Sequence, residues 1–231
     1  TGWYTLSLHD ALPILIPGAL TGVTGKAQQQ GDSATGDGSI SRVLDGSGLT
    51  IGNPGLPSTW THNNRWQDNW QGSCSFTVVS PTLGTRNASA WFVADLGQVY
   101  ADLDKMWLWN VRETNALNRG VQDFDIYYSN SPTVTPSTGS AYSFAGGGWT
   151  LLGSYHVAQG NVSNPAEGIF DLTGIGEARY IGLDLLTNYG SNFRVGFAEL
   201  EFTTPEPATL TALLLAAGGM GSYLRRRRRT A

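Results

Sequence analysis

Cysteine is almost missing from this chain. Cys74 stands alone among 231 residues, so no intramolecular disulfide can form and the fold must rely on its core or on a metal. A catalytic thiol would need a histidine partner, and beyond the extreme N-terminus only His62 and His156 remain; Cys74 is read as an inert, half-buried thiol. Charge is scarce as well, at 14% Asp, Glu, Lys and Arg. There is no G-x-S-x-G word, no His-rich metal spacing, no internal repeat and no long helical periodicity, which leaves little footing for hydrolysis by a nucleophile elbow or a catalytic zinc. Asp123 and Asp125 share one strand face, but a glycosidase pair must flank a bond at about 5 to 10 Å in a cleft. They are read as solvent-facing, and the chain as non-enzymatic.

What the chain has in quantity is glycine, at 30 residues, and aromatic side chains, at 11%. Short apolar runs are separated by Gly, Asn, Ser and Pro, the pattern of an all-β sandwich whose strands each bury one face. Strands are predicted at 90–96, 105–111, 123–128, 149–155, 168–172, 179–185 and 196–202. In the third, Phe124, Ile126 and Tyr128 fall on one face and Asp123, Asp125 and Tyr127 on the other. Trp107 and Trp109 likewise share a face, read as core, with Met106 and Leu108 packing on the other side. Ser129 to Gly148 reads as a long loop and 15–38 as a flexible lead-in, which leaves one domain over 39–203.

From Thr204 three pieces follow in a fixed order: Pro205-Glu206-Pro207, then Ala208 to Leu224, 17 residues without a charge, then Arg225 to Arg229. At about 1.5 Å per residue this apolar run, a single transmembrane helix by its length, sits at the lower limit for crossing a bilayer's hydrocarbon core. Dense arginine beside it holds that end in the cytoplasm and places the main body on the far side of the membrane. Removing those five arginines from the 14 Lys and Arg leaves nine against 18 Asp and Glu, so the exported body is acidic. That charge repels phosphate backbones, which argues against nucleic acid and leaves neutral ligands open.

Residues 204–231 resemble the PEP-CTERM sorting signal of Gram-negative bacteria, in which motif, span and arginines occur together. The resemblance implies export across the inner membrane, membrane attachment through the span before processing, and recognition of Pro205, Glu206 and Pro207 by the exosortase, a membrane-embedded cysteine protease. Release or attachment at the cell surface would follow; an uncleaved C-terminal anchor is the alternative. At the other end Tyr4 to Ile14, YTLSLHDALPI, resembles a translated sequencing-library adapter, so 1–14 are set aside as an artefact, with no intact signal peptide.

The strand order and several local words resemble the discoidin, or coagulation-factor 5/8 type C, family, a galactose-binding-like jelly roll. Those words are Asp45 to Thr50, Ala94 to Gly97, Trp107 to Asn110, Arg119 to Ser129, Ala178 to Ile181 and Gly196 to Leu200. An insertion at 58–86, rich in Trp, Asn and Ser, departs from the family and has no assigned path. The resemblance implies non-catalytic binding of sugars through loops at one end of the sandwich, here of a neutral extracellular polysaccharide. Sugar recognition needs an aromatic plate for the ring's C–H face and amide or guanidinium groups for its hydroxyls. Trp66 of the 60–70 segment, with Arg112, Asn115, Asn118 and Arg119 of the turn before the Asp123 strand, supplies that chemistry. A structural surface protein, its tryptophans in the core and its asparagines shaping turns, is the competing reading.

A calcium site is also expected. Asp45, Ser47 and Thr50 stand at i, i+2 and i+5 in DGSGLT, where two glycines let the chain curl so that oxygens converge. Calcium takes six to eight oxygens at about 2.3 to 2.6 Å, more than one loop provides. Resemblance to calcium-binding relatives implies completion by the Ala198 carbonyl and Glu199 on the final strand, with the Leu44 carbonyl beside them. An ordinary Asp-Gly turn is the alternative.

Overall fold

The computed structural model describes residues 19–29, 31, 36–53, 56–73, 90–161, 165–192 and 194–205. Cys74, residues 1–14, Glu206, Pro207 and the apolar span to Leu224 lie outside them. Among the described residues no helix is long and apolar enough to cross a membrane.

All seven predicted strands form, as β5 (Ala90–Tyr100), β6 (Lys105–Asn110), β7 (Asp123–Ser129), β8 (Thr150–His156), β9 (Gly168–Asp171), β10 (Ala178–Leu185) and β11 (Arg194–Thr203). Four more join them: β1 (Thr24–Ala27), β2 (Leu49–Thr50), β3 (Thr61–His62) and β4 (Trp70–Ser73). One sheet runs β1-β5-β10-β7-β8 and the other β4-β11-β6-β9, with β2 and β3 as a separate ribbon. Every named pairing is antiparallel. This is an all-β sandwich, each sheet burying its inner face against the other, while the central strands β5 and β6 are covered on their outer faces as well. The register sets Leu183 between Phe92 and Ile126, so a layer of apolar side chains forms across three strands. Phe92 meets Phe197 of the other sheet edge-on at 4.9 Å, and Trp70 packs against both rings.

The stretch read as a flexible lead-in is part of the sandwich. β1 pairs with β5 from Thr24↔Asp95 to Ala27↔Phe92, and Ala27 is fully buried. Ala19 bridges Thr203, and the Leu20 N–H donates to the Phe202 carbonyl at 2.8 Å. The two ends of the domain therefore leave it side by side. They do so about 30 Å from the start of β11, at ~3.3 Å per residue.

A bulge in β11 decides the site chemistry. The pairs Phe197↔Asn110 and Glu199↔Trp109 enclose an extra residue, which reverses the alternation of facing. Phe197 points into the core while Glu199 and Glu201 turn to the outer face beside Trp107 and Trp109. Those tryptophans are buried, but under Trp60 and Leu49 on the outside of the sheet rather than between the sheets. The 129–148 loop acts similarly on the other sheet, laying Tyr142 and Phe144 over Trp91 and Trp149, with Phe144 stacked on Tyr127 at 4.9 Å.

Candidate functional site

The 61–70 segment and the turn after β6 meet at the end of the sandwich where β11 begins. The Asn64 side chain donates to the Thr114 hydroxyl at 3.0 Å, and the Arg112 N–H donates to Asn69 Oδ1 at 3.0 Å. Asn63 shapes the same segment, accepting the Arg65 N–H through Oδ1 and donating to Asp68. The asparagines around Trp66 thus fix the turn, as such clusters commonly do. Of the three tryptophans here, Trp60 and Trp70 are buried and Trp66 is 42% exposed.

Trp66, Glu113, Arg119 and Arg194 line one cleft of about 400 Å3. Its walls are pre-set by a hydrogen-bonded triangle. Gln71 Nε2 donates to Glu113 Oε2 at 2.7 Å, and Arg119 Nη1 donates to Gln71 Oε1 at 2.9 Å and to Glu113 Oε2 at 3.2 Å. An exposed indole face beside oriented guanidinium, amide and carboxylate groups suits a ring with an apolar face and polar edges. Trp66 and Arg119 are the two expected site residues that the structure brings together here. Asn115, at φ 67°, and Asn118 are exposed on the same turn, and the Asn118 carbonyl accepts the Ser191 N–H. Glu113, Gln71 and Arg194 were missed by sequence reasoning; only their nearness to Arg112, Trp70 and the last strand hinted at them.

Arg112 is a correction. Its side chain is 0% exposed, its Nη2 donates to Glu167 Oε1 at 2.6 Å and to the Pro165 carbonyl at 2.6 Å, and it takes no place in the cleft wall. Burial lowers the guanidinium's pKa, against Glu167, and raises the Glu167 carboxyl above its ordinary range, against Arg112 and the Asn110 and Asn161 N–H groups. The pair ties 165–167 to the strand below the cleft. It is structural support, withdrawn from any ligand.

The DGSGLT loop curls as its glycines require. Gly46 and Gly48 have φ of 72° and 90°, and a Cβ at Gly48 would stand 2.5 Å from His62 Nε2. The Ser47 N–H donates to Asp45 Oδ1 at 2.8 Å, and the Ser47 hydroxyl to the Arg42 carbonyl at 3.0 Å. Leu44 is buried, while Thr50 is exposed in the β2–β3 ribbon. Ala198 and Glu199 are both 0% exposed, and neither Glu199 carboxylate oxygen has a hydrogen-bond partner among the described residues. Desolvation first, then the nearby Glu201 and Asp45 carboxylates, raise the Glu199 carboxyl well above its ordinary range; the Gly46 N–H is close enough to oppose this without forming a well-aligned bond. Glu201, also missed, is pushed up to about 8 by desolvation and Asp45. Its signal was visible as a second carboxylate two residues along the same strand. Asp45, Gly46 and Glu201 line a second cleft of about 480 Å3 with Leu20, Leu49 and Trp60. Among the described residues no three His, Cys, Asp or Glu side chains gather as a metal-binding group, so any cation here would depend on carbonyl and hydroxyl oxygens as well.

Asp123 and Asp125 sit on the outer face of β7. Desolvation pushes the Asp123 carboxyl up, but hydrogen bonds from Thr187 and His156 outweigh it and hold it below its ordinary value. Thr187 Oγ1 donates to Asp123 and accepts the Asp123 N–H, so the hydroxyl braces the carboxylate and the strand end.

Residues 203–229 match the PEP-CTERM protein-sorting motif. No curated protein matches the chain. Among solved structures, the F5/8 type C domain of a Bacteroides fragilis protein aligns at a TM-score of 0.51 and 10% identity, over 82% of this chain and 97% of that one. The lectin domain of lectinolysin complexed with Lewis B antigen aligns at 0.46 and 17% identity, over 80% and 94%. A family 89 glycoside hydrolase from Clostridium perfringens aligns at 0.42 and 16% identity; this chain spans 14% of its length. The domain has the sandwich fold of that F5/8 type C domain, and residues 203–229 carry the PEP-CTERM sorting motif, which indicates an exported protein sorted to the cell surface.

Proposed function

We propose that this is a surface or matrix protein of a Gram-negative bacterium, processed by exosortase, whose domain binds extracellular polysaccharide without catalysis through the Trp66 cleft. The observation that carries the reading is the half-exposed Trp66 indole set beside Arg119, Arg194, Glu113 and Gln71 in one pre-shaped cleft. A pyranose ring laid on the indole buries its C–H face, while the guanidinium and amide edges take its hydroxyls. The cleft stands at the start of β11 and the tail leaves from its end, so a chain tethered at Pro205 presents the cleft away from its attachment. Asn115 and Asn118 belong to this proposal as exposed groups on the Arg119 turn.

The same reading includes a calcium ion between the first loop and the last strand. Asp45 and Glu199 would supply carboxylates, Ser47 its hydroxyl, and Leu44, Thr50 and Ala198 carbonyls. The partnerless, fully buried Glu199 carboxylate fits that role, since a buried anion without a hydrogen bond is costly unless a cation neutralises it. Calcium would clamp the loop to β11 in place of a disulfide.

Glycan-array binding by the full-length protein in detergent tests the cleft. Trp66→Ala should weaken retained glycans about tenfold, the ~1.4 kcal/mol expected of a lost aromatic contact. Unchanged binding by that variant moves the site elsewhere. For sorting, the parent chain should be shortened in a host with exosortase and Glu206→Ala should leave it unshortened; a parent chain that keeps its full length there would favour a plain anchor, and a Glu206→Ala chain shortened as usual would mean that the motif is not what is read.

A further inference from the structure

The cleft differs in charge from the body that carries it. Outside the C-terminal arginines the chain has nine Lys and Arg against 18 Asp and Glu, yet the described residues that line this cleft include two guanidinium groups, Arg119 and Arg194, and one carboxylate, Glu113. The two arginines come from separate elements, the turn after β6 and the first residue of β11, so two distant parts of the chain bring them to one cleft with Trp66. Glu113 is engaged within the wall by Gln71 at 2.7 Å and by a single nitrogen of Arg119 at 3.2 Å. Gln71, 4% exposed, bonds both Glu113 and Arg119 and so holds the Arg119 guanidinium in place within the wall.

We propose that the ligand of this cleft is an acidic saccharide, a pyranose bearing a carboxylate, rather than a neutral one. This rests on the carbohydrate reading above and adds the charge class of the sugar. A carboxylate on a pyranose projects from the ring edge. When the ring's C–H face lies on Trp66, that edge is turned toward the cleft walls, where the two guanidinium groups stand. The planar guanidinium matches a carboxylate with parallel N–H donors, a geometry that an ammonium or amide cannot reproduce. The acidic body does not oppose this at close range. Its repulsion acts across solvent and is screened over about 8 to 10 Å at physiological salt, while a pair in contact is screened much less. Net charge therefore points to neutral partners only for surfaces that share the average, which this cleft does not.

The test measures binding of the full-length protein in detergent to oligogalacturonate and to the same oligosaccharide with its carboxyls reduced to alcohols. The acidic form should bind about tenfold tighter or more, as a charge-assisted hydrogen bond of ~1.5–3 kcal/mol implies. Arg194→Gln should bring that preference below about twofold while Arg194→Lys keeps part of it, because lysine retains the charge but loses the fork. Unfolding temperatures of both variants check that the fold survives. Equal binding of the acidic and reduced forms overturns the acidic-ligand proposal and leaves the carbohydrate reading standing. Binding of neither form, nor of any array glycan, overturns both. An acidic preference that survives Arg194→Gln and Trp66→Ala overturns the assignment to this cleft.

Discussion

On either side of the β11 bulge two acidic groups are buried in opposite ways, one toward the cleft end of the strand and one toward its tail end. Below the cleft, Glu167 has a side chain 3% exposed and carries its own counter-ion, Arg112 at 2.6 Å, together with the Asn110 and Asn161 N–H groups. Toward the tail, Glu199 is 0% exposed and both its oxygens lack partners among the described residues, with Glu201 and Asp45 adding like charge nearby. The first end is complete within the polypeptide. The second is balanced only by protons or by a cation from outside. Burial alone therefore says little about a carboxylate; what it faces decides whether it is a brace or a binding group.

Removing a partner at the complete end should produce the largest effect. Glu167→Ala leaves the buried Arg112 guanidinium without the Glu167 carboxylate, with carbonyls such as that of Pro165 still accepting from it, an imbalance that costs about 3–5 kcal/mol. At roughly 2–4 °C per kcal/mol for a domain of this size, its unfolding temperature should fall by about 6–20 °C. A drop of only a degree or two in scanning calorimetry would show that solvent reaches the pair and that the two ends are not different in kind.

The incomplete end should respond to pH and calcium instead. Glu199 and Glu201 have folded pKa values above their unfolded ones, Glu201 reaching about 8. Their contribution to stability is therefore fully present below about pH 4.5 and is lost as pH rises through the folded value. In chelator the unfolding temperature should decline from pH 5 to pH 8 by several degrees, and calcium should restore it mainly at pH 8, where the carboxyls give up their protons to it more readily than at pH 5. A calcium response equally large at pH 5 would contradict this picture.

A smaller effect, with opposite signs in two buffers, is expected of Glu199→Gln. Without calcium the amide removes the cost of ionising a buried carboxyl and should stabilise the protein by about 1 kcal/mol at pH 8, a modest gain because the amide also lacks a partner. With calcium the variant should show no rise in unfolding temperature. If the variant is less stable in chelator and still gains from calcium, Glu199 is not a cation ligand.

Much of this contrast was legible in the sequence, and the rest was hidden for identifiable reasons. The seven strands from Ala90 to Thr203 follow from short apolar runs, the period-two alternation of Asp123 to Tyr128 and the Gly, Asn, Ser and Pro breaks between them. β1 does not, because it lies in a polar, small-residue stretch and pairs with β5 alone in its sheet. Asp45 and Glu199 could be named from a loop and a resemblance. Glu201, two residues on, shares the strand face of Glu199; that this face turns outward depends on the bulge before both glutamates. Arg112 and Arg119 are seven residues apart on one turn, and nothing local distinguishes them; the difference is Glu167, 55 residues beyond Arg112. Trp60, Trp66 and Trp70 are likewise alike in type, and only packing shows that one of the three faces solvent.

The smallest effect on stability should come from that third tryptophan, and its smallness is informative. Trp66 is 42% exposed on a short turn whose geometry is held by Asn63, Asn64 and Asn69 rather than by the indole. Trp66→Ala should therefore change stability by about 0.5 kcal/mol or less, the usual range for surface positions away from caps and cores. Trp60→Ala, which empties the space over Trp107 and Trp109, should cost about 3–5 kcal/mol. Measuring both variants by urea unfolding separates a surface plate from a packing residue. A Trp66→Ala protein as unstable as Trp60→Ala would make the indole part of the fold, and its effect on ligand binding would then say nothing about contact with a sugar.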